Sequence, residues 1–170
     1  MNITKIISNL PYSISSEFTI KLIKEKPIFS ILMYQKEFAE RLTSVNNSKK
    51  YGKITVYCQE KLTIKKLQEV KRNNFTPVPN VDSMIIKITP NIIKYDKIIN
   101  SLEYKNLLNI LFQHKRKKIK TIISLKKNEL KLYDIKERIF KDKDKIKYFE
   151  SRPENLDIND FIILTKYLYK

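Results

Sequence analysis

The chain has 170 residues, 42% of them hydrophobic, which is enough to bury a core in one large or two small domains, so the chain need not be disordered. Its one glycine (Gly52), one cysteine (Cys58) and one histidine (His114) exclude a glycine-rich phosphate loop, a nucleophile elbow, a disulfide framework and a Cys/His metal site, so no metal is expected. The formal net charge of +17 indicates a polyanionic partner, nucleic acid rather than a membrane, and the apolar stretches are too short to cross a bilayer, which predicts a soluble, cytoplasmic protein.

The first forty residues alternate short apolar runs with segments of helical spacing. An apolar run that ends at Asn9, before a proline-containing turn, predicts a buried strand whose carboxyl end opens into a loop. The elements predicted after this turn are a helix from about Ser16 to Pro27, a strand over residues 29–33 and a helix over residues 35–42. This order of strand, helix, strand and helix predicts a parallel sheet.

The next segment has an ambiguous pattern. Ile54, Val56 and Cys58 alternate as in a strand, whereas Ile54 and Tyr57 also share a helical face, so the spacing leaves both structures open. Residues 62–70 and 83–89 are rich in residues that favour strands, and the second stretch has apolar side chains at every other position. A proline-rich loop over residues 75–83 is expected between them.

After Pro90 the pattern is helical throughout. Ser101 is expected to cap a helix whose apolar face includes Tyr104 and Leu108, and Asp157 with Asp160 resembles a capping pair at the start of a last helix. A boundary near residues 90–100 is therefore predicted. The expected domains are a mixed α/β domain over residues 1–92 and a basic helical domain over residues 93–170.

One tetrapeptide, at the end of the first predicted strand, gives the most information about chemistry: Asn9, Leu10, Pro11 and Tyr12. Its position matters because ligands of open α/β sheets bind beyond the carboxyl ends of the strands. An exocyclic amine of a nucleobase is a poor nucleophile, and acceptors on its two N–H bonds would orient its lone pair. The Asn9 side-chain oxygen and a backbone carbonyl of Leu10 or Pro11 could be these acceptors, and Tyr12 could stack on the base. The alternative is a strand-ending turn with an asparagine cap and a core tyrosine.

Six sequence blocks occur in one order along nearly the whole chain. They are NLPYSIS (residues 9–15), LMYQKEFAERL (32–42), KYGKITV (50–56), FTPVPNVDS (75–83), FQHKRK (112–117) and RPENL (152–156). In these blocks the chain resembles the ribosomal RNA small-subunit adenine N6,N6-dimethyltransferase family, its archaeal branch in particular. The resemblance covers the carboxyl-terminal portion of that family.

The resemblance implies a fold and a site. The fold is the second half of a Rossmann-like class I methyltransferase sheet followed by a small all-α domain, with a helix beginning near Tyr51. The implied cofactor is S-adenosylmethionine, which Asn9 borders in the family, and the implied partner is small-subunit rRNA or a pre-ribosomal subunit. Asn9, Leu10, Pro11 and Tyr12 would form the catalytic motif, and Phe75 would close the other face of a flipped adenine.

The chain departs from the family in its cofactor-binding half. The glycine-rich loop and the two acidic residues that hold the cofactor in the family have no counterpart in this sequence. We therefore expect the chain alone to bind S-adenosylmethionine poorly. It would pair with a separately made amino-terminal half, or it represents a truncated gene product or a misassigned start.

A dense run of basic residues lies between Gln113 and Lys131. It has one acidic residue, Glu129, and eight basic ones: Lys115, Arg116, Lys117, Lys118, Lys120, Lys126, Lys127 and Lys131. This density predicts a phosphate-binding face, centred on residues 115–120, and makes His114 a contact or a bystander rather than a catalyst. The alternatives are a solvated helix surface and the lysine enrichment of an AT-rich genome.

Two other functions remain open. One is a non-catalytic rRNA-binding module of ribosome assembly, and the other is a methyltransferase of the erythromycin-resistance type, which acts on large-subunit rRNA and shares a similar tetrapeptide. The blocks over residues 35–41 and 75–83 favour the small subunit. Because the one histidine lies in the basic run, no Ser/His/Asp triad is arguable, and group transfer is favoured over hydrolysis.

Overall fold

The chain forms two compact units, which a computed structural model describes over residues 4–92, 95–132 and 144–169. The sheet unit comprises residues 4–44 and 54–92, and the helical unit comprises residues 45–53, 95–132 and 144–169. The segment Val45–Lys53 therefore belongs with the helices that follow much later in the chain. The domain boundary between residues 92 and 93 stays a prediction.

The sheet unit contains four strands and three helices among its described residues. In chain order they are β1 (Lys5–Asn9), a 3-10 turn (Tyr12–Ile14), α1 (Ser15–Glu25), β2 (Phe29–Gln35), α2 (Lys36–Leu42), α3 (Lys53–Gln59), β3 (Leu62–Val70) and β4 (Ser83–Pro90). α1 ends where Lys26 adopts a left-handed conformation (φ 48°) and donates its amide hydrogen to the Leu22 carbonyl. Pro27 follows, as expected for a helix end.

The four strands form one mixed sheet in the order β1-β2-β4-β3. β1 runs parallel to β2, as predicted, whereas β4 runs antiparallel to both β2 and β3. The parallel arrangement predicted from the first strands and helices is therefore confirmed for β1 and β2, and β4 alone of the four described strands runs in the opposite direction. The physical reason is that no crossover helix separates β3 from β4, and the loop between them returns the chain alongside itself.

Side chains along β2 and β4 are buried largely at alternate positions, and the buried ones form the core of this unit. Leu32 of β2 lies opposite Ile86 of β4, and both are fully buried in a cluster that includes Leu22 of α1 and Leu42 of α2. β1 departs from its prediction as a buried strand, since Ile7 is 75% exposed. In the described sheet β1 is an edge strand that pairs with β2 alone, which leaves one of its sides uncovered.

The segment that the sequence left open is a helix. α3 buries Thr55, Val56 and Cys58, a spacing that follows a helical face and not the alternation of a strand. The helix implied by the family resemblance is therefore confirmed. Burial in this helix raises the pKa of the Cys58 thiol to about 12, so the thiol is protonated at neutral pH and unreactive.

The described part of the helical unit contains five helices and a 3-10 turn. They are α4 (Asp96–Ile99), α5 (Leu102–Gln113), α6 (Ile119–Lys126), α7 (Ile146–Glu150), the turn Pro153–Asn155 and α8 (Ile158–Leu168). Ser101 accepts a hydrogen bond from the Tyr104 amide, and Asp157 and Asp160 form a reciprocal capping box, which confirms both predicted caps. None of the helices in the described ranges is long and apolar enough to traverse a bilayer.

Candidate functional site

The predicted base-binding tetrapeptide forms a turn at the carboxyl end of β1. Asn9 is the last residue of the strand and is exposed, and Leu10 is buried in the core of the sheet unit. Pro11 is exposed and extended (φ −55°, ψ 130°) and precedes the 3-10 turn that Tyr12 begins. The Ile14 amide donates to the Pro11 carbonyl over 3.2 Å. That bond engages one of the two lone pairs of the Pro11 oxygen, which favours the Leu10 carbonyl as the backbone acceptor that the sequence left open.

A cleft of about 330 Å³ brings this turn together with the proline-rich loop of the same unit. Its lining residues are Asn9, Leu10, Pro11, Tyr12, Phe75, Thr76, Pro77 and Pro79. The volume lies at the small end of the roughly 300–1,000 Å³ typical of small-molecule sites. The structure thus places every residue predicted for base orientation and stacking around one cavity.

Two aromatic side chains take part in the lining from different segments. Tyr12 comes from the turn after β1, and Phe75 from the loop between β3 and β4, and both are half-buried. Partial burial leaves aromatic surface available to a flat ligand while the remainder of each ring is held by protein. A planar, uncharged group such as a nucleobase suits these two side chains.

A hydrogen bond joins the cleft residue Tyr12 to the start of β4. The Tyr12 hydroxyl and the Ser83 hydroxyl lie 2.7 Å apart, and Ser83 is fully buried at the first position of β4. In the sequence Ser83 is only the last residue of the proline-rich loop, because nothing in the local pattern shows which side chain it reaches. The bond limits how Tyr12 can move relative to β4.

Asp82 connects the two ends of the segment between β3 and β4, which contains the proline-rich loop. One of its carboxylate oxygens accepts from the Arg72 amide (3.0 Å) and the other from the Lys71 ammonium (3.1 Å). Its backbone carbonyl accepts from the Lys36 amide (2.9 Å) at the start of α2. The hydrogen bond from Arg72, and then that from Lys71, lowers the pKa of Asp82, so the carboxylate stays charged at neutral pH. The loop also contains a cis peptide bond before Pro77.

The described residues do not form a complete binding site for the implied methyl donor, S-adenosylmethionine. S-adenosylmethionine carries a ribose and charged groups, whereas the described lining of the cleft contains no carboxylate and no glycine. Of the described residues, only Asn9 is implicated toward this group by the resemblance. Within the described residues, the cleft therefore has side chains that suit a planar base, but no carboxylate or glycine of the kind that would hold the donor.

The basic run lies in the helical unit, and acidic side chains partly pair it. The Lys118 and Lys120 ammonium groups both contact the Glu150 carboxylate, at 2.8 and 2.5 Å. These two hydrogen bonds lower the pKa of Glu150, so it remains an anion between them. The Lys115 ammonium lies 3.9 Å from a carboxylate oxygen of Glu154. Three of the five central cations therefore face a carboxylate.

The two other central cations are more available. Arg116 and Lys117 are exposed, and the structure shows no hydrogen bond or ion pair for either side chain within the ranges it describes. His114, which is half-buried, ends α5 as its cap residue. Farther along, Lys126 pairs with Glu129 over 2.5 Å. Arg116 and Lys117, both in the FQHKRK block, are therefore exposed cations that no described carboxylate pairs with.

The sequence profile and the relatives that this chain matches point to the same protein family. The chain matches the sequence profile described as ribosomal RNA adenine dimethylase over residues 2–162. It is 37% identical over 169 residues to ribosomal RNA small subunit methyltransferase A of Borreliella burgdorferi, in an alignment that covers 98% of this chain and 56% of that protein. A probable ribosomal RNA small subunit methyltransferase A of Methanosarcina barkeri is 40% identical over 135 residues, 79% of this chain and 47% of that protein. The chain spans about half the length of these curated relatives.

Solved structures agree with this. The crystal structure of a dimethyladenosine transferase from Plasmodium falciparum superposes with a TM-score of 0.77 at 32% identity, over 95% of this chain and 65% of that one. The 23S rRNA methyltransferase ErmE superposes with a TM-score of 0.60 at 18% identity, which shows a shared fold alone. The mixed sheet with its helices is therefore a methyltransferase-like α/β fold, as predicted.

Proposed function

The chain belongs to the ribosomal RNA adenine dimethylase family, and from that premise we propose that it serves S-adenosylmethionine-dependent N6,N6-dimethylation of adenines in small-subunit rRNA. The observation that carries the proposal is the cleft in which the Asn9–Tyr12 turn meets Phe75. Because the chain spans about half of its relatives' length, the complete activity requires the remaining part of the fold, joined or supplied separately.

In this proposal the turn orients the amine of the target base. The amine donates one hydrogen bond to the Asn9 side-chain oxygen and one to the Leu10 carbonyl. These two hydrogen bonds direct the nitrogen lone pair away from the ring plane. Asn9 cannot act as a base, and the described cleft lining has no carboxylate, so the proton of the amine leaves to water. The rate then depends on position and electrostatics, without a general base.

The two aromatic side chains bind the base itself. Tyr12 and Phe75 would stack on an adenine that has left its helix, and stacking contributes about 1–3 kcal/mol per base in such sites. A flipped base also needs the rest of the RNA held in place. Lys115, Arg116, Lys117, Lys118 and Lys120 would do this by contacting phosphates, with Arg116 and Lys117 contributing most because they lack acidic partners among the described residues.

The test is to map N6,N6-dimethyladenosine in rRNA from cells that lack the protein. The proposal expects the modification to disappear from small-subunit rRNA. Loss from large-subunit rRNA instead would favour the erythromycin-resistance type, and an unchanged pattern would favour a non-catalytic rRNA-binding module. Either result would contradict the proposal.

A single substitution extends the test to the site. Cells that express Asn9→Ala in place of the natural protein should lose the modification almost completely, because the amine loses one of its two acceptors. Asn73→Ala is the matched control, since Asn73 is exposed and lies outside the cleft lining. Normal dimethylation by Asn9→Ala at wild-type protein levels would refute the assigned role of Asn9.

A further inference from the structure

We propose that the segment Val45–Lys53 supplies a second row of cations to the RNA-binding surface of the helical unit. The inference rests on the proposed function and extends it to residues that the basic run does not contain. In sequence the segment runs from shortly after α2 to the first residue of α3, yet it belongs to the helical unit. It carries three lysines and no acidic residue.

Hydrogen bonds attach this segment to the 3-10 turn before α8. The Asn47 amide donates to the Glu154 carbonyl (2.7 Å), and the Asn46 side chain donates to the Asn155 carbonyl (3.0 Å). The Asn155 side chain returns a hydrogen bond to the Asn47 side-chain oxygen (2.8 Å). Main-chain and side-chain bonds together fix the course of the segment across this turn.

Two further contacts bring the segment to the FQHKRK block. The Lys115 ammonium donates to the Lys49 carbonyl (3.4 Å), and the buried Tyr51 ring packs against Phe112, with ring centres 6.1 Å apart. Lys49 is therefore a direct neighbour of the first cation of that block. At the other end of the segment, the Lys53 ammonium donates to the Asn109 side chain on α5 (2.9 Å).

The combined surface has more charge than either part. Lys49 and Lys50 are exposed, as are Arg116 and Lys117, and Glu154 is the acidic residue that pairs with Lys115. Each cation that neutralises a phosphate releases counterions from the nucleic acid, so the number of cations in contact determines the salt dependence of binding. A partner with phosphates spaced along a chain can meet both rows at once.

The experiment measures binding of in vitro transcribed small-subunit rRNA to the full chain at several salt concentrations. The variant Lys49→Gln/Lys50→Gln should reduce the slope of log affinity against log salt by about 1.4–1.8, as expected for two lost phosphate contacts. The matched control is Lys65→Gln/Lys66→Gln, which removes two exposed lysines from β3 of the sheet unit and should leave the slope unchanged.

A third variant separates failure of this inference from failure of the proposed function. If Lys115→Gln/Arg116→Gln/Lys117→Gln lowers the slope and the Lys49/Lys50 variant does not, the second row is refuted while RNA binding by the block stands. If neither lowers it, the RNA-binding part of the proposed function fails, and this inference with it. An equal loss in the β3 control would also overturn the inference, because the effect would then follow total charge.

A different observation carries a second inference: we infer that Ser83 is a positioning residue for Tyr12. Their hydroxyl groups lie 2.7 Å apart, and Ser83 is fully buried while Tyr12 lines the cleft. Stacking on a base needs an aromatic ring and no hydroxyl, so the Tyr12 hydroxyl can serve as the ring's anchor. This inference also rests on the proposed function, since it assumes that Tyr12 contacts the base.

A double-mutant cycle tests this role on a single-stranded RNA oligonucleotide that carries 2-aminopurine, whose fluorescence reports stacking. Ser83→Ala and Tyr12→Phe should each weaken binding roughly three- to tenfold, the effect of one hydrogen bond. The double variant should be no weaker than either single one, because both remove the same bond.

The outcomes distinguish positioning from general stability. If the two effects multiply, or if Ser83→Ala has none while Tyr12→Ala abolishes the signal, Ser83 does not act through Tyr12. If neither Tyr12→Ala nor Phe75→Ala changes the signal, the cleft is not the base site and the proposed function fails at that point. Unfolding in urea, measured on each variant, corrects for any loss of folded protein.

Discussion

At the scale of single residues, the most unusual environment is that of the buried pair Glu60 and Lys61. Their side chains are 1% and 2% exposed, and the nearest charged atoms are 3.8 Å apart. Burial raises the pKa of Glu60 to about 8, and the Lys61 charge offsets only part of this rise. The Lys61 ammonium also lies 4.1 Å from the centre of the Tyr57 ring, a cation–π contact.

This environment predicts a pH-dependent stability. An unfolded chain releases the Glu60 proton near the ordinary pKa of 4.5, whereas the folded chain holds it to about pH 8. The folded state therefore binds more protons between these values, and the free energy of unfolding should fall as pH rises through this window, by at most about 1.4 kcal/mol per pH unit. Urea unfolding at a series of pH values measures this fall.

The variant Glu60→Gln isolates the contribution of this carboxyl group. It carries no titrating proton, so its free energy of unfolding should decline less steeply than that of the natural chain between roughly pH 5 and pH 8. Parallel stability profiles of the two proteins would show that Glu60 titrates normally in the folded state.

Residues of the site differ in how far the sequence reveals them. Asn9, Tyr12 and Phe75 could be predicted as site residues because they stand in blocks whose order resembles a family. Their meeting around one cleft depends on β1 and β4 lying on either side of β2, which local patterns do not specify. Ser83 could not be assigned for the same reason, since its partner lies 71 residues away.

At the scale of elements, capping residues were the most predictable features. In α8, the Asp157 carboxylate accepts from the Asp160 amide (2.9 Å), and the Asp160 carboxylate accepts from the Asp157 amide (3.0 Å). Both bonds join residues three apart, so the sequence contains all the information needed. α3 was ambiguous because its choice between helix and strand depends on which side chains the rest of the unit buries.

The cap leads to a quantitative expectation. Asp157→Ala leaves the Asp160 amide in the first turn of α8 without its acceptor and should lower the free energy of unfolding by about 1 kcal/mol. Asp157→Asn keeps a side-chain oxygen at the same position and should retain most of the stability. Urea unfolding of both variants at neutral pH makes the comparison, and equal losses would contradict a capping role.

At the scale of the whole molecule, the assignment of residues 45–53 to the helical unit could not be predicted from the sequence. Tyr51 is 3% exposed and packs against Phe112, a contact between residues far apart in the chain. A block such as KYGKITV indicates a family resemblance, but it does not show which residues its side chains contact. Local patterns along the chain do not show such a contact, so they do not reveal this excursion of the chain.

Tyr51 is correspondingly expected to be important for stability. Tyr51→Ala removes a large buried ring from the helical unit and should lower the free energy of unfolding by about 3–5 kcal/mol. Val45→Ala, at an exposed position of the same segment, should change it by less than about 0.5 kcal/mol. Thermal or urea unfolding provides the measurement, and a small effect of Tyr51→Ala would mean that the segment is held by its polar contacts alone.

The distribution of ion pairs predicts unequal contributions of the basic residues to RNA binding. Arg116→Gln/Lys117→Gln should reduce the salt slope by about 1.4–1.8. Lys118→Gln/Lys120→Gln removes the same charge but should reduce it less, because Glu150 already engages both ammonium groups. Equal reductions would show that RNA displaces the Glu150 carboxylate.

The chain passes between its two units three times, after residues 44 and 53 and again near residue 93. A fragment that begins at residue 93 would therefore lack Asn47 and Tyr51, the partners of Asn155 and Phe112. After a single protease nick near residue 93, the two pieces would still be held together by these noncovalent contacts. Grafting experiments that exchange the helical half between homologues must carry residues 45–53 along with it, or Phe112 will keep Phe161 but lose the Tyr51 ring that packs against it.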